Sequence, residues 1–328
     1  MIFLLFCLLP FAFSLAPLPA PRLLADLLSA APTSPNSKKS ILLMPCCYDG
    51  LTARLVARAD FPLTFMTGFG VSASRGYPDT QLVSYDEMKL SAMAVSEGLS
   101  GVAKESGEIL PPIPCIADGD TGYGNAINVK RTVTGYARAG MAGVMIEDQQ
   151  SPKRCGHVSG KSVVSFDEAV MRIRAACDAR DEYAAQQGPG TGPLIMARTD
   201  ALKIYGFDEA VRRCQAFREV GADITFLEAP TTIEEMREYC ARVKGPKLAN
   251  MLEGGSTPIL SPDELGKMGY TIAAYPLTLL SASIKAMENV LSNIMKGEQT
   301  DDLIRTFGET KDAVGFTAYG QEENKYKT

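Results

Sequence analysis

Two aspartates, Asp118 and Asp120, stand one residue apart in Asp118-Gly119-Asp120-Thr121-Gly122-Tyr123-Gly124, directly after a short apolar run. Carboxylates at that spacing on a glycine-rich backbone offer hard oxygen ligands. Such a set suits Mg2+ or Mn2+, ions that take few carboxylates and keep several waters. Taken alone, the string reads equally well as an aspartate-rich turn. Glu147 and Asp148 end the next apolar run and bring the third carboxylate that a metal site would use.

A second cluster is Lys153-Arg154-Cys155-Gly156-His157, closing with Gly160-Lys161. Neighbouring cations lower a thiol's pKa and favour a reactive cysteine. A basic, glycine-rich loop can also clamp a carboxylate, and a solvated basic loop with an incidental cysteine is the alternative. Arg198, in Met196-Ala197-Arg198-Thr199-Asp200, offers a two-pronged partner for a substrate carboxylate. An ion pair with Asp200 or Glu228 is compatible with that role. Glu228 and the segment from Asn250 to Pro258 add hydrogen-bonding groups, and Thr67-Gly68-Phe69-Gly70 offers backbone N–H groups to an oxyanion. No dinucleotide fingerprint, Walker loop, His-Glu-x-x-His or Gly-x-Ser-x-Gly occurs.

These residues need elements to bring them together. Eight apolar runs have the length of buried parallel strands: Ile41–Cys47, Leu63–Thr67, Ile113–Ala117, Gly143–Ile146, Leu194–Ala197, Ile224–Leu227, Lys247–Met251 and Tyr270–Tyr275. Helical stretches lie between them, such as Ala126–Ala139, Ser165–Gln186, Asp208–Val220 and Ile233–Lys244. Ser165 and Asp208 stand where N-caps belong, and Gly221 and Gly245 where helices stop. Eight strand–helix units predict a TIM barrel, although a doubly wound open sheet could use the same pieces. Strand after strand ends in a charged or amide residue, and only a barrel gathers such ends at one mouth. Beyond Tyr275 a long helix from Leu277 to Lys296 and a periodic stretch from Asp301 to Phe316 exceed what a barrel needs.

The chain has 328 residues, 46% hydrophobic and 22% charged, with a net charge of −5. That balance supplies a core and argues against a nucleic-acid partner, which demands a basic face. Eight cysteines without paired spacing and a single histidine exclude a disulfide scaffold and a zinc site, so most cysteines are expected buried and reduced. The stretch from Met1 to Pro21 carries no charge, and Ile2–Leu9 is apolar but ends at Pro10, too short to span a bilayer. It reads as a signal core with a cleavage site at Ala12-Phe13-Ser14, followed by transit-like sequence from Pro17 to Lys39. Plastid or secretory routing follows from that reading, and a cytoplasmic enzyme from a misassigned start codon. The expected organisation is a leader over 1–39, one barrel domain with a helical arm over 40–320, and a polar tail over 321–328.

From Ile41 to Phe316 the chain resembles the isocitrate lyase / phosphoenolpyruvate mutase superfamily. The resemblance rests on Asp-Gly-Asp-Thr-Gly-Tyr-Gly-Asn, Ile-Glu-Asp-Gln, Lys-Arg-Cys-Gly-His, Ala-Arg-Thr-Asp-Ala and Asn-Met-x-Glu-Gly-Gly. It implies a (β/α)8 TIM barrel with an extra, swapped C-terminal helix, assembled as a homotetramer (a dimer of dimers), with no membrane partner. Asp118 and Asp120 then match the magnesium (or manganese) residues, with Glu147 acting through water. Cys155 matches a catalytic thiol on a gating loop, in company with Lys153, Gly156 and His157. Thr67, Gly68, Gly70, Asp79, Arg198, Glu228 and Asn250 match positions around the substrate.

The lyases of this superfamily cleave a small 2-hydroxy dicarboxylate into a 2-oxo acid and a carboxylate, and the thiol protonates the departing carbanion. Phosphonate-handling members typically lack the cysteine motif. Methylisocitrate lyases carry an arginine shortly after their Tyr-Pro-Leu, where this chain has Tyr275-Pro276-Leu277-Thr278-Leu279-Leu280-Ser281. What remains resembles the petal-death-type and dimethylmalate lyases, which act on 2-alkylmalates. The alternative is the oxaloacetate hydrolases, which tend to place a hydroxyl residue where Pro258 falls.

Overall fold

A computed structural model describes residues 18–327, apart from 38, 105 and 155–159. Eight parallel strands follow one another around a ring: β1 Leu42–Cys47, β2 Thr64–Met66, β3 Cys115–Asp118, β4 Gly143–Glu147, β5 Leu194–Thr199, β6 Ile224–Leu227, β7 Leu248–Asn250 and β8 Ile272–Tyr275. Their order is β6-β5-β4-β3-β2-β1-β8-β7, and a parallel bridge between Thr225 and Lys247 joins β6 to the start of β7. The fold is a (β/α)8 barrel. Every expected strand is present, and all eight have both ends within two residues of the expected bounds.

The strands are apolar on both faces because both are covered. Met44, Cys46, Phe65, Ile116, Met145, Met196, Ile224, Phe226, Leu248, Ile272 and Ala274 fill the barrel. Cys47, Met66, Cys115, Ala117 and Ile146 point the other way and pack under the surrounding helices. The described cysteines are free and buried, as composition suggests.

Helix starts follow the capping chemistry in most places. Ser165 accepts a hydrogen bond from the Glu168 N–H at the head of Phe166–Gln187. Asp208 does not cap its helix. Phe207–Glu219 begins at Gly206 (φ 85), and Asp208 and Glu209 occupy its first turn, where they favour the positive end of the helix dipole.

Two boundaries drawn on the sequence move. The segment expected to be transit-like contains a helix, Ala20–Ala30, started by a proline at its first turn. Its Leu24 is fully buried and its Leu28 nearly so, both packed into the barrel-filling cluster. The uncharged run expected as a signal core lies, up to residue 17, outside the described residues. At the other end, the helix Phe316–Asn324 runs into the stretch expected to be a polar tail. Among the described residues no helix is long and apolar enough to cross a membrane.

The long helix Thr278–Lys296 buries only Leu280, and Ile284, Met287, Leu291 and Ile294 remain exposed at spacings of three and four residues.

Candidate active site

The C-terminal ends of the strands deliver their polar residues to one recess. Thr67, Asp79, Asp118, Lys153, Arg154, Arg198, Glu228 and Asn250 line it, and Phe69, Leu252, Pro276 and Leu277 are among its apolar lining. Asp120 and Glu147 lie buried beside it.

Asp118 ends β3 and is held from two directions. Its Oδ2 accepts the Gly68 N–H at 3.1 Å, and its Oδ1 accepts the Asp120 N–H at 2.9 Å. A Cβ at Gly68 would fall 2.5 Å from Asp118 Oδ2, so glycine permits this approach. The Gly68 N–H is therefore bonded to a carboxylate of the protein in this structure. Gly70 is buried against Tyr48, where a Cβ would meet that side chain at 2.7 Å.

Asp120 Oδ2 accepts a hydrogen bond from the Tyr123 hydroxyl at 2.7 Å, which turns Oδ1 toward Lys153. Burial pushes the Asp120 carboxyl up to about 6, with Lys153 opposing and Asp118 and Asp79 adding to the rise. Lys153 is itself buried, with its ammonium 2.7 Å from Asp120 Oδ1, 2.9 Å from Asp79 Oδ1 and 3.9 Å from Asp118 Oδ2. Burial alone would favour its neutral form; the carboxylates of Asp120, Asp118, Asp79 and Glu147 outweigh that and hold the ammonium charged.

Glu147, at the end of β4, is fully buried and has no hydrogen-bond donor on either oxygen among the described residues. Burial pushes its pKa well up, while Arg198 and Lys153 pull it back. Arg198 ends β5 with Nε 2.8 Å from Asp200 Oδ2 and 3.3 Å from Glu147 Oε2, and Nη2 3.8 Å from Glu228 Oε1. Asn250 Nδ2 donates to Glu228 Oε2 at 3.5 Å. Ion pairing with the protein and an approach to a ligand coexist, since Arg198 also lines the recess.

The carboxylates do not form a ready-made cage: among the described residues no three Asp, Glu, His or Cys side chains are gathered closely enough to hold an ion directly. Glu147, whose oxygens accept no hydrogen bond among the described residues, suits a hydrated ion instead, one held through one or two carboxylates with waters reaching the rest.

Cys155, Gly156 and His157 lie outside the described residues. The chain on either side of them is fixed: Lys153 in its acidic nest, and Lys161 with Nζ 2.6 Å from Asp200 Oδ1. Sequence reasoning missed Gln81, Gln149, Tyr123 and Arg213. Arg213 is buried, donates to Asp148 Oδ2 at 2.9 Å, and Asp148 in turn accepts from Thr199 Oγ1 and the Asp200 N–H. The one geometric signal shared by several of these segments is backbone strain. Of six non-glycine residues with positive φ among the described residues, Gln81 (59), Asp120 (48), Tyr123 (60) and Ala229 (57) stand around this mouth. Such outliers concentrate where function constrains the chain.

Fold and recess together define a barrel enzyme with its chemistry at the strand C-termini. A family model described as phosphoenolpyruvate phosphomutase matches residues 35–295. The 2,3-dimethylmalate lyase of Eubacterium barkeri is 39% identical over 298 residues, covering 89% of this chain and 96% of that protein. The 2-methylisocitrate lyase of Aeropyrum pernix is 39% identical over 289 residues, 87% of each chain. A solved structure of oxaloacetate acetylhydrolase with the inhibitor 3,3-difluorooxalacetate aligns with a TM-score of 0.82 at 33% identity, over 93% of this chain and 96% of that one. The chain belongs to the phosphoenolpyruvate phosphomutase family, within the PEP mutase/isocitrate lyase superfamily, and is an enzyme of the carbon–carbon lyase type.

Proposed function

We propose that the enzyme cleaves a 2-alkylmalate-type 2-hydroxy dicarboxylate into a 2-oxo acid and a carboxylate, with Mg2+ as cofactor and Cys155 as general acid. The observation that carries this reading is the mixed lining of the recess: Lys153, Arg198, Glu228 and Asn250 share it with Leu252, Pro276 and Leu277. The charged and amide groups suit the carboxylate and hydroxyl of a 2-hydroxy acid, and the apolar residues suit an alkyl substituent rather than a third carboxylate. Leu277 through Ser281 bring no arginine.

Arg198 holds the carboxylate next to the hydroxyl-bearing carbon, through a planar fork already aligned by Asp200. Glu147, which accepts no hydrogen bond among the described residues and is made more basic by burial, receives the hydroxyl proton as the C2–C3 bond breaks. Lys153 stays charged beside the developing negative charge. The electrons of the broken bond pass to the departing carboxylic acid carbon, which takes its proton from the Cys155 thiol. Asp118 and Asp120, with Glu147 through water, would hold the Mg2+, which when bound polarises the hydroxyl and carboxylate oxygens as a Lewis acid.

A second reading is oxaloacetate hydrolysis to oxalate and acetate. Its support is the buried Thr257 hydroxyl, next to Pro258, which has no partner among the described residues. The test is the full chain with Mg2+, offered 2-alkylmalates, oxaloacetate, methylisocitrate and phosphonopyruvate, with products followed by NMR. Fastest cleavage of a 2-alkylmalate supports the first reading. Oxalate released from oxaloacetate faster than any malate is cleaved overturns it.

We also propose that the exposed stripe Ile284, Met287, Leu291 and Ile294 is covered by a second copy of the chain, within a homotetramer formed by helix exchange. Light scattering that shows a monomer at micromolar concentration would contradict this.

A further inference from the structure

Two glutamine side chains fix the backbone immediately before Cys155. Gln149 treats Arg154 as a strand partner: its Oε1 accepts the Arg154 N–H at 3.0 Å and its Nε2 donates to the Arg154 carbonyl at 2.9 Å. Gln81 reaches in from the loop between the helices Gly68–Ser74 and Tyr85–Leu99. Its Oε1 accepts the Lys153 N–H at 3.0 Å and the Ser151 hydroxyl at 2.9 Å, and its Nε2 donates to Thr121 Oγ1 at 3.0 Å. Thr121 directly follows Asp120. One amide thus joins the aspartate loop to the segment that carries Lys153.

The rest of the stem is closed by backbone pairing. Gln149 and Val163 form an antiparallel bridge, the Gln150 N–H donates to the Ser162 carbonyl at 2.9 Å, and the Val164 N–H donates to the Asp148 carbonyl at 2.9 Å. Gln81 achieves its reach from a left-handed backbone (φ 59), a conformation that disfavours a residue with a Cβ and suits glycine. A glutamine kept there despite that cost points to its side chain.

We propose that Gln81 is a positioning residue: its amide holds the Lys153 backbone so that the ammonium stays between Asp79 and Asp120. This rests on the reading that Lys153 serves the reaction, but the geometric part can be tested without any substrate. The experiment compares the full-length wild type with Gln81→Gly and Gln81→Glu by acetic anhydride labelling and peptide mass spectrometry. Lys247, fully buried and bound to the carbonyls of Thr33, Val243 and Gly245, is the internal reference. Gln81→Gly relaxes the backbone and removes only the amide. It should acetylate Lys153 roughly tenfold faster, as expected for the loss of one or two hydrogen bonds, with the Lys247 rate and Tm unchanged or Tm raised. On the best malate substrate its kcat should fall more than its KM changes. Gln81→Glu keeps both acceptor contacts and should leave Lys153 as protected as in the wild type. Wild-type Lys153 labelling in Gln81→Gly, or equal exposure of Lys153 and Lys247, overturns the proposal. If the wild type cleaves no 2-hydroxy acid, the functional reading fails while the labelling still decides the role of Gln81.

Discussion

Lys153 Nζ lies 2.7 Å from Asp120 Oδ1, and both groups are buried. The ammonium therefore leans on a carboxylate that the proposed function assigns to magnesium binding. Removing that carboxylate should affect the metal first. Asp120→Asn is expected to weaken magnesium binding at least about tenfold in calorimetric titration, and EDTA should abolish turnover of the wild type until Mg2+ is restored. Unchanged magnesium affinity in Asp120→Asn would remove Asp120 from the metal set.

Arg198 is the next point of leverage. Lysine keeps its charge but loses the planar fork, so Arg198→Lys should lower kcat/KM by roughly a hundredfold, chiefly through KM. Arg198→Ala leaves Glu147 and Asp200 buried without their neighbour and should lower stability by about 3–5 kcal/mol in urea unfolding. A KM unaffected by Arg198→Lys would contradict the carboxylate-binding role.

Asp200 makes a pH-dependent prediction. Although burial opposes it, Arg198 and Lys161 hold its carboxyl below the usual carboxylate range. A depressed carboxyl stabilises the fold above its unfolded pKa and loses that contribution as pH falls toward the folded value. The stability gap between wild type and Asp200→Asn should therefore be constant near neutrality and narrow below about pH 4. A gap that stays constant down to pH 3 would contradict this assignment.

The barrel-floor helix gives a prediction that concerns the fold alone. Leu24 is fully buried against the barrel interior, so Leu24→Ala should cost about 2–5 kcal/mol. Truncation to residue 40 should lower Tm by more than the single substitution does, whereas truncation to residue 18 should not. An unchanged Tm after truncation to residue 40 would restore the expected boundary at 39.

The barrel was legible because parallel strands buried on both faces leave apolar runs, and because carboxylates at their ends have one place to converge. Asp118, Glu147, Arg198 and Glu228 could be found that way. Gln81 could not: its contacts to Thr121, Ser151 and Lys153 join segments tens of residues apart, and no local pattern marks an amide that will be clamped at both ends. The helix Ala20–Ala30 was not expected because a Leu- and Ala-rich helix that seals a barrel floor and transit-like sequence share a composition. Asp208 was misplaced by two residues because Gly206 can start a helix without any side chain to announce it.

The central claim is carbon–carbon cleavage with proton delivery by the Cys155 thiol, and Cys155→Ser tests it most directly. General acid catalysis contributes on the order of a hundredfold or more, so turnover of the preferred 2-alkylmalate should fall by at least about that factor. Magnesium binding, measured on the same protein by calorimetry, should stay at the wild-type value. A Cys155→Ser enzyme that cleaves the substrate at the wild-type rate would contradict the account.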